Sequence, residues 1–129
     1  MKAVKITLAG VTLCLAFNGE AMFQIRDDFG DASALLEMVG QDTREGFAAT
    51  CRAVALLAEQ GELARRFYGY EPERIVTAEE IERLAMPSDI IEMRRAIPQA
   101  ISLGFGREVQ PENNEIDLGL AELNQKKTT

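Results

Sequence analysis

The sequence predicts an α+β fold that is mainly α: an N-terminal two-stranded antiparallel hairpin packed on a bundle of about five helices, followed by a flexible C-terminal tail. Three observations predict it. Apolar residues alternate with a period of two near the N-terminus, they recur at helical spacing through the middle, and the end of the chain is polar. The 129 residues suffice for one domain. We place the hairpin-plus-helical domain at residues 1–106 and a polar linker with a short amphipathic tail at residues 107–129.

The first twenty residues are compatible with two predictions. Two lysines precede an apolar stretch, Ile6–Phe17, and this order resembles a secretory signal. However, Val4, Ile6 and Leu8 fall on one face of a strand, and the alternation resumes after Ala9-Gly10. Alternation on both sides of a two-residue turn with a glycine is typical of a hairpin, whereas an export sequence needs only bulk hydrophobicity. We therefore predict a hairpin and a cytoplasmic protein.

Two short helices are predicted after the hairpin. Asn18 is a good N-cap for a helix over residues 19–29, and Asp31 is a good N-cap for a helix over residues 32–39. A glycine follows each helix, which is typical of a helix end.

The longest helical pattern follows Asp42-Thr43-Arg44-Glu45. Asp42 and Glu45 lie three residues apart, which predicts a capping box. We expect a break or kink at Gly61, after which the pattern resumes until Gly69. The apolar stripe of this helix comprises Phe47, Cys51, Val54, Ala55 and Ala58, with Leu57 beside it.

Two further helices complete the predicted domain. A second capping box, Thr77-Ala78-Glu79-Glu80, opens a short helix. The last helix runs from about Asp89 to Leu103, and Pro98 should kink it because proline removes one backbone hydrogen bond. Its inward-facing residues are Ile90, Met93, Ile97 and Ile101.

Two groups of apolar residues are candidates for contact with a protein partner. Aromatic side chains near a helix end are good anchors, and apolar residues that share a helix face on a flexible tether can reach a partner groove. Both groups could equally pack on their own domain. The predicted partner-binding residues are Phe67, Tyr68 and Tyr70 around Gly69, and Ile116, Leu120 and Leu123 on one face of a short C-terminal helix.

The composition narrows the possible functions. The net charge is −7 with a pI near 4.7, so phosphate backbones repel the chain and a nucleic-acid partner is not expected. No apolar run approaches the roughly 20 residues of a membrane span. Histidine, the commonest general base and metal ligand, is absent. We therefore predict a non-enzymatic protein with no catalytic, cofactor-binding or metal-binding residues, and we expect Cys14 and Cys51 to be reduced.

The order of these elements resembles a tail assembly chaperone of long-tailed bacteriophages and prophages. Two short strands are followed by an Asn-capped helix and then by Leu35-Leu36. The Ala-Leu-rich run in residues 51–58, the Thr77-Ala78-Glu79-Glu80 helix start and the Asp-Leu-Gly-Leu-Ala-Glu-Leu tail fit the later parts of such proteins. The turn departs from the usual pattern, since Ala9-Gly10 stands where Asp-Gly or Asn-Gly is more common.

The resemblance implies a non-enzymatic role in a bacterial host cell. Such a chaperone binds the long, apolar, helical tape measure protein, helps to recruit tail tube subunits around it, and is absent from the mature virion. Self-association into a homo-oligomer is also implied, and frameshifting adds a second domain to part of the product in many of these phages. The alternative is a small acidic regulatory adaptor, antitoxin-like or enzyme-inhibiting, that binds one basic protein partner.

Overall fold

The computed structural model describes residues 1–107 and 114–119 of the chain. Within these residues it confirms the predicted class, because an N-terminal antiparallel hairpin packs on five helices. Most of the predicted flexible linker, as well as Leu120 and Leu123, lies outside the described residues.

The hairpin pairs β1 (Lys2–Leu8) with β2 (Val11–Leu15), and its register places Ile6 opposite Leu13. On one face of β1, the side chains of Val4, Ile6 and Leu8 are buried against the helices, as the alternation predicts. Ala9 and Gly10 both have positive φ angles, 51° and 80°, which a two-residue type I′ turn requires. Ala9 therefore adopts the left-handed conformation at the first turn position, where Asp or Asn is more common.

A third strand joins the sheet. β3 (Glu115–Asp117) pairs antiparallel with the other edge of β1, so the strand order is β2-β1-β3. The prediction that Ile116 lies on a helix face is wrong, because Ile116 is in β3 opposite Ala3. A short apolar run does not show from periodicity alone whether it forms helix or strand, and here the unpaired edge of β1 supplied the hydrogen-bonding partners.

Five helices follow the hairpin in the described chain, and each begins near its predicted position. Pro98 lies inside the last helix, as expected. The second predicted capping box is present, with reciprocal hydrogen bonds between Thr77 and Glu80. The helices are α1 (Gly19–Phe29), α2 (Ala32–Val39), α3 (Arg44–Phe67), α4 (Ala78–Leu84) and α5 (Pro87–Gly104).

The first predicted capping box does not form. The N-cap of α3 is Thr43, whose hydroxyl accepts from the Gly46 N–H at 3.0 Å. This shift of one residue moves Glu45 away from the third helical position, where it would have to lie to complete the box. Asp42 is instead exposed, with a carboxylate oxygen 3.7 Å from Arg94.

The predicted break at Gly61 is also wrong, because α3 continues through it. A Cβ atom at this position would lie 1.7 Å from the carbonyl oxygen of Cys14. The same edge of the sheet is tied to the helix where the Ala16 N–H donates to the Leu57 carbonyl at 3.1 Å. Gly61 is therefore a point of close backbone approach, and α3 covers the outer edge of β2.

The core lies between the sheet and the helices. Cys51 is fully buried, as its predicted place on the apolar stripe of the long helix requires, and burial raises its pKa to about 12. Both cysteines are free. No described helix combines the length and apolar character that crossing a membrane requires. The largest fully buried side chains include Leu15, Ile25, Leu35, Leu57, Ile81, Met93 and Ile97.

Candidate partner-binding site

The polarity of α3 reverses along its length. Up to Ala58 the helix buries apolar side chains, including Val54 and Leu57. Beyond that point it buries Gln60, Gly61 and Glu62. Leu63 is 44% exposed and Phe67 is 84% exposed. Because these two residues are four positions apart, they are neighbours on the helix surface and form one apolar patch.

Glu62 explains why polar residues face inward here. Its carboxylate is buried and accepts from Arg65 Nη1 at 2.5 Å, from Arg66 Nε at 2.9 Å and from the Glu73 N–H at 2.8 Å. The two arginines also donate to backbone carbonyls, Arg65 to that of Glu71 and Arg66 to that of Glu73. One buried acid and two arginines thus fasten the loop after α3 to the helix.

Electrostatics keep this carboxyl group ionised. Burial by itself would raise the pKa of Glu62, since it disfavours the charged form. The hydrogen bonds from the Glu73 N–H, Arg66 and Arg65, together with the charge of Arg65, outweigh burial and lower the pKa below its usual 4.5. The sequence analysis did not single out Glu62, although its four-residue spacing from Arg66 is a recognisable helix ion pair.

The end of α3 positions the tyrosines. Gly69 has a φ of 89°, and the N–H groups of Gly69 and Tyr70 donate to the carbonyls of Arg66 and Arg65. This is the Schellman arrangement, which a residue with positive φ permits. It directs the chain back so that the Arg65 guanidinium lies 5.2 Å from the centre of the Tyr70 ring. The Tyr68 ring meets the Phe67 ring edge-on, with 5.3 Å between centroids.

A cleft lies beside this helix end. Its volume is about 570 Å³, within the range of small-molecule sites. The outer face of the hairpin, the last turns of α3, the loop over residues 70–76 and the segment around β3 enclose it. Its charged lining residues are Lys5, Glu62, Arg65, Glu73 and Arg74, and its apolar lining residues include Val11, Ala58, Ile75, Val76, Ile116 and Leu118.

The structure separates the six residues predicted to bind a partner. Phe67 is exposed, so its side chain is free to contact another molecule. Tyr70 and Ile116 line the cleft, and the Tyr70 hydroxyl donates to the Leu118 carbonyl at 2.8 Å. Tyr68 is half-buried. The residues Leu120 and Leu123 fall outside the part of the chain that the structure describes.

Other exposed apolar residues lie away from the cleft. Met86 and Ile91, at the start of α5, are 63% and 69% exposed, and Leu84 at the end of α4 is 43% exposed. Within residues 1–107 and 114–119, no cluster of three or more acidic or cysteine side chains could hold a metal ion.

Comparisons with protein-family models, with curated proteins and with solved structures gave no match.

Proposed function

We propose that this protein is a non-enzymatic tail assembly chaperone that binds the tape measure protein and helps to recruit tail tube subunits in the cytoplasm of a bacterial host, without remaining in the virion. The observation that carries the proposal is the reversed polarity of α3. Leu63 and Phe67 face solvent where a helix of a monomeric domain usually presents polar residues. Exposed apolar side chains next to each other on a helix are suited to pairing with an apolar helix of a partner.

The surface is rigid before a partner arrives. Glu62, Arg65 and Arg66 fix the last turns of α3 and the loop that follows. A fixed surface loses less conformational entropy on binding than a flexible one, so more of the contact energy remains as affinity. Fully burying a leucine or phenylalanine side chain contributes about 1.5–3 kcal/mol.

The charge of the chain suits the same role. A net charge of −7 repels other acidic copies of the complex and keeps an apolar partner in solution. It also favours a partner with basic residues beside its apolar stripe, and it disfavours nucleic acid. Neither a membrane nor a cofactor has a part in the proposal.

The test is coexpression with the long, helix-rich protein encoded by a neighbouring reading frame of the source genome. We expect that protein to be soluble with this chain and insoluble without it. Phe67→Ser combined with Leu63→Ser should abolish the solubilisation, whereas Met86→Ser combined with Ile91→Ser, an equally apolar pair on another surface, should not. Size-exclusion chromatography of each sample would reveal mixed or homo-oligomers.

Two results would contradict the proposal. One is a long protein that is equally insoluble with and without the chain. The other is a tight one-to-one complex with a small basic protein, which favours the regulatory adaptor instead. If both surface pairs reduce solubilisation equally, the patch on α3 is not the specific contact.

A further inference from the structure

The hairpin places an available cation in the cleft. Lys5 lies on the face of β1 opposite the core, and it lines the cleft together with Cys14, its register partner on β2. The Lys5 side chain is exposed. Within residues 1–107 and 114–119, that side chain makes no hydrogen bond or ion pair. The cleft therefore has an ammonium group that the described domain leaves available to a ligand.

The buried acid beside the cleft already has its partners. The Glu62 carboxylate accepts hydrogen bonds from Arg65, Arg66 and the Glu73 N–H, so it does not require a cationic ligand. Because two arginines share this one carboxylate, the three side chains together keep one positive charge. This group therefore adds to the attraction of the cleft for an anion.

The charged lining as a whole is positive. It comprises three basic residues against two acidic ones, which are Lys5, Arg65, Arg74, Glu62 and Glu73. Arg74 also has an acid of its own, since it pairs with Glu80. The excess of one positive charge in the lining is opposite in sign to the net charge of −7 on the whole chain. A cleft concentrates the field of its charged groups, so this one attracts a small anion.

Two of the cations act on the same point of the cleft. Burial raises the pKa of the Cys14 thiol to about 11, while the charge of Arg65 lowers it, that of Glu62 raises it and that of Lys5 lowers it. Arg65 and Lys5 therefore both lie close to this sulfur atom, although one comes from α3 and the other from β1. An anion beside Cys14 meets both positive charges.

The rest of the cleft is suited to an apolar body. Val76 and Leu118 are buried, and Ile75 and Ile116 are half-buried. The hydrogen bond from the Tyr70 hydroxyl to the Leu118 carbonyl joins the loop after α3 to the segment after β3. These apolar walls are thus held in place before a ligand arrives, which lowers the entropic cost of binding. The volume of about 570 Å³ accommodates a small molecule.

We propose that the cleft binds a small monocarboxylic acid with an apolar body. The carboxylate lies beside Lys5 and Arg65, and the body packs on the apolar walls. A carboxylate balances the single excess positive charge, whereas a phosphate group carries about two negative charges and is repelled by Glu73. Among the described residues that line the cleft there is neither Leu63 nor Phe67, so this site is separate from the surface for a protein partner and does not depend on it.

Nuclear magnetic resonance of the isotope-labelled chain at neutral pH tests the proposal with three probes. Octanoate has the carboxylate and an apolar body, acetate has the carboxylate alone, and octylammonium has the same body with the opposite charge. We expect octanoate to shift the backbone amide signals of Cys14 and Val76 with a Kd of about 1 mM, the value that its size permits. The signal of Leu36 on α2 should not shift. Acetate and octylammonium should bind about tenfold more weakly or less.

Lys5→Gln and Lys2→Gln form a matched pair of variants. Both lysines are exposed on β1, and Lys5 is the one that lines the cleft. We expect Lys5→Gln to weaken octanoate binding about fivefold, because it removes a partly exposed ion pair with the ligand. Lys2→Gln should leave the Kd of octanoate unchanged. The dispersion of the amide signals verifies that both variants are folded.

Four results would overturn the proposal. Octylammonium that binds as tightly as octanoate would show that the cleft does not select an anion. Equal Kd values for the two lysine variants would remove the carboxylate contact. Shifts confined to Leu63 and Phe67, or to Met86 and Ile91, would show that octanoate meets only exposed apolar patches. No shift at about 10 mM octanoate, ten times the expected Kd, would exclude this class of ligand.

Discussion

The two halves of α3 belong to one continuous helix but are stabilised in different ways. The N-terminal half buries small and apolar side chains such as Cys51, Val54 and Leu57 in the core. The C-terminal half buries a carboxylate and exposes Leu63 and Phe67. The first half is held by apolar burial and the second by hydrogen bonds between charged groups. An exposed apolar patch can therefore be carried on a helix that does not rely on that patch for its own stability.

Leucine substitutions should give the largest difference between the halves. Leu57→Ala should lower the free energy of unfolding by about 3 kcal/mol, because it removes a fully buried side chain and leaves a cavity. Leu63→Ala should change it by less than about 0.5 kcal/mol, because that side chain is exposed. Urea unfolding of both variants measures the difference. Comparable losses would mean that the two halves are stabilised in the same way.

Removal of the buried acid should produce the next largest effect. Glu62→Ala should cost about 2–3 kcal/mol, because it leaves Arg65, Arg66 and the Glu73 N–H without their shared acceptor. Glu59→Ala, on the exposed side of the same helix, is the matched control and should be close to neutral. Thermal unfolding followed by circular dichroism distinguishes them, and a neutral Glu62→Ala variant would refute the assigned role.

The boundary between the halves should tolerate no side chain. Gly61→Ala should destabilise the protein by about 2 kcal/mol, because the added Cβ meets the carbonyl oxygen of Cys14 and forces β2 away from α3. Gly19→Ala, at the start of α1, is the control, since nothing lies within 4 Å of a Cβ there. Urea unfolding would contradict this prediction if the two variants were equally stable.

The smallest expected effect is on the dependence of stability on pH. The pKa of Glu62 is lowered in the folded state, so its contribution is fully present above the unfolded value near 4.5 and is lost as the pH falls through the folded value. Glu62→Gln should therefore lose less stability than the wild type as the pH falls from 5 to below the unfolded value near 4.5. Urea unfolding across that range measures both slopes, and parallel curves would show that Glu62 does not titrate as described.

Much of the fold was predictable because local rules determine it. Asn18, Asp31 and Thr77 cap helices where the sequence places them. The alternation around Ala9-Gly10 gives the hairpin and its buried face. These features depend on residues close together in the chain, so spacing and residue type are sufficient to predict them.

Two of the errors arose where distant residues meet. Gly61 was predicted to break a helix, but the glycine is needed because Cys14 approaches it from the sheet. Ile116 was predicted on a helix face, but it lies in β3, which pairs with the otherwise unpaired edge of β1. The candidate site could be predicted only in part, since the spacing of Phe67 does not indicate whether it faces the core or solvent.

The sequence by itself determined the element order from β1 to α5, the approximate helix starts, the buried position of Cys51 and the acidic net charge, because each depends on neighbouring residues or on composition. The tertiary structure decided the direction in which the end of α3 faces. Because β2 lies so close to Gly61, no side chain fits at that position. The loop over residues 70–76 donates a backbone N–H to the carboxylate of Glu62. These contacts turn the acid inward. Leu63 and Phe67 then face solvent, because residues on opposite faces of one helix cannot pack against the same neighbouring surface.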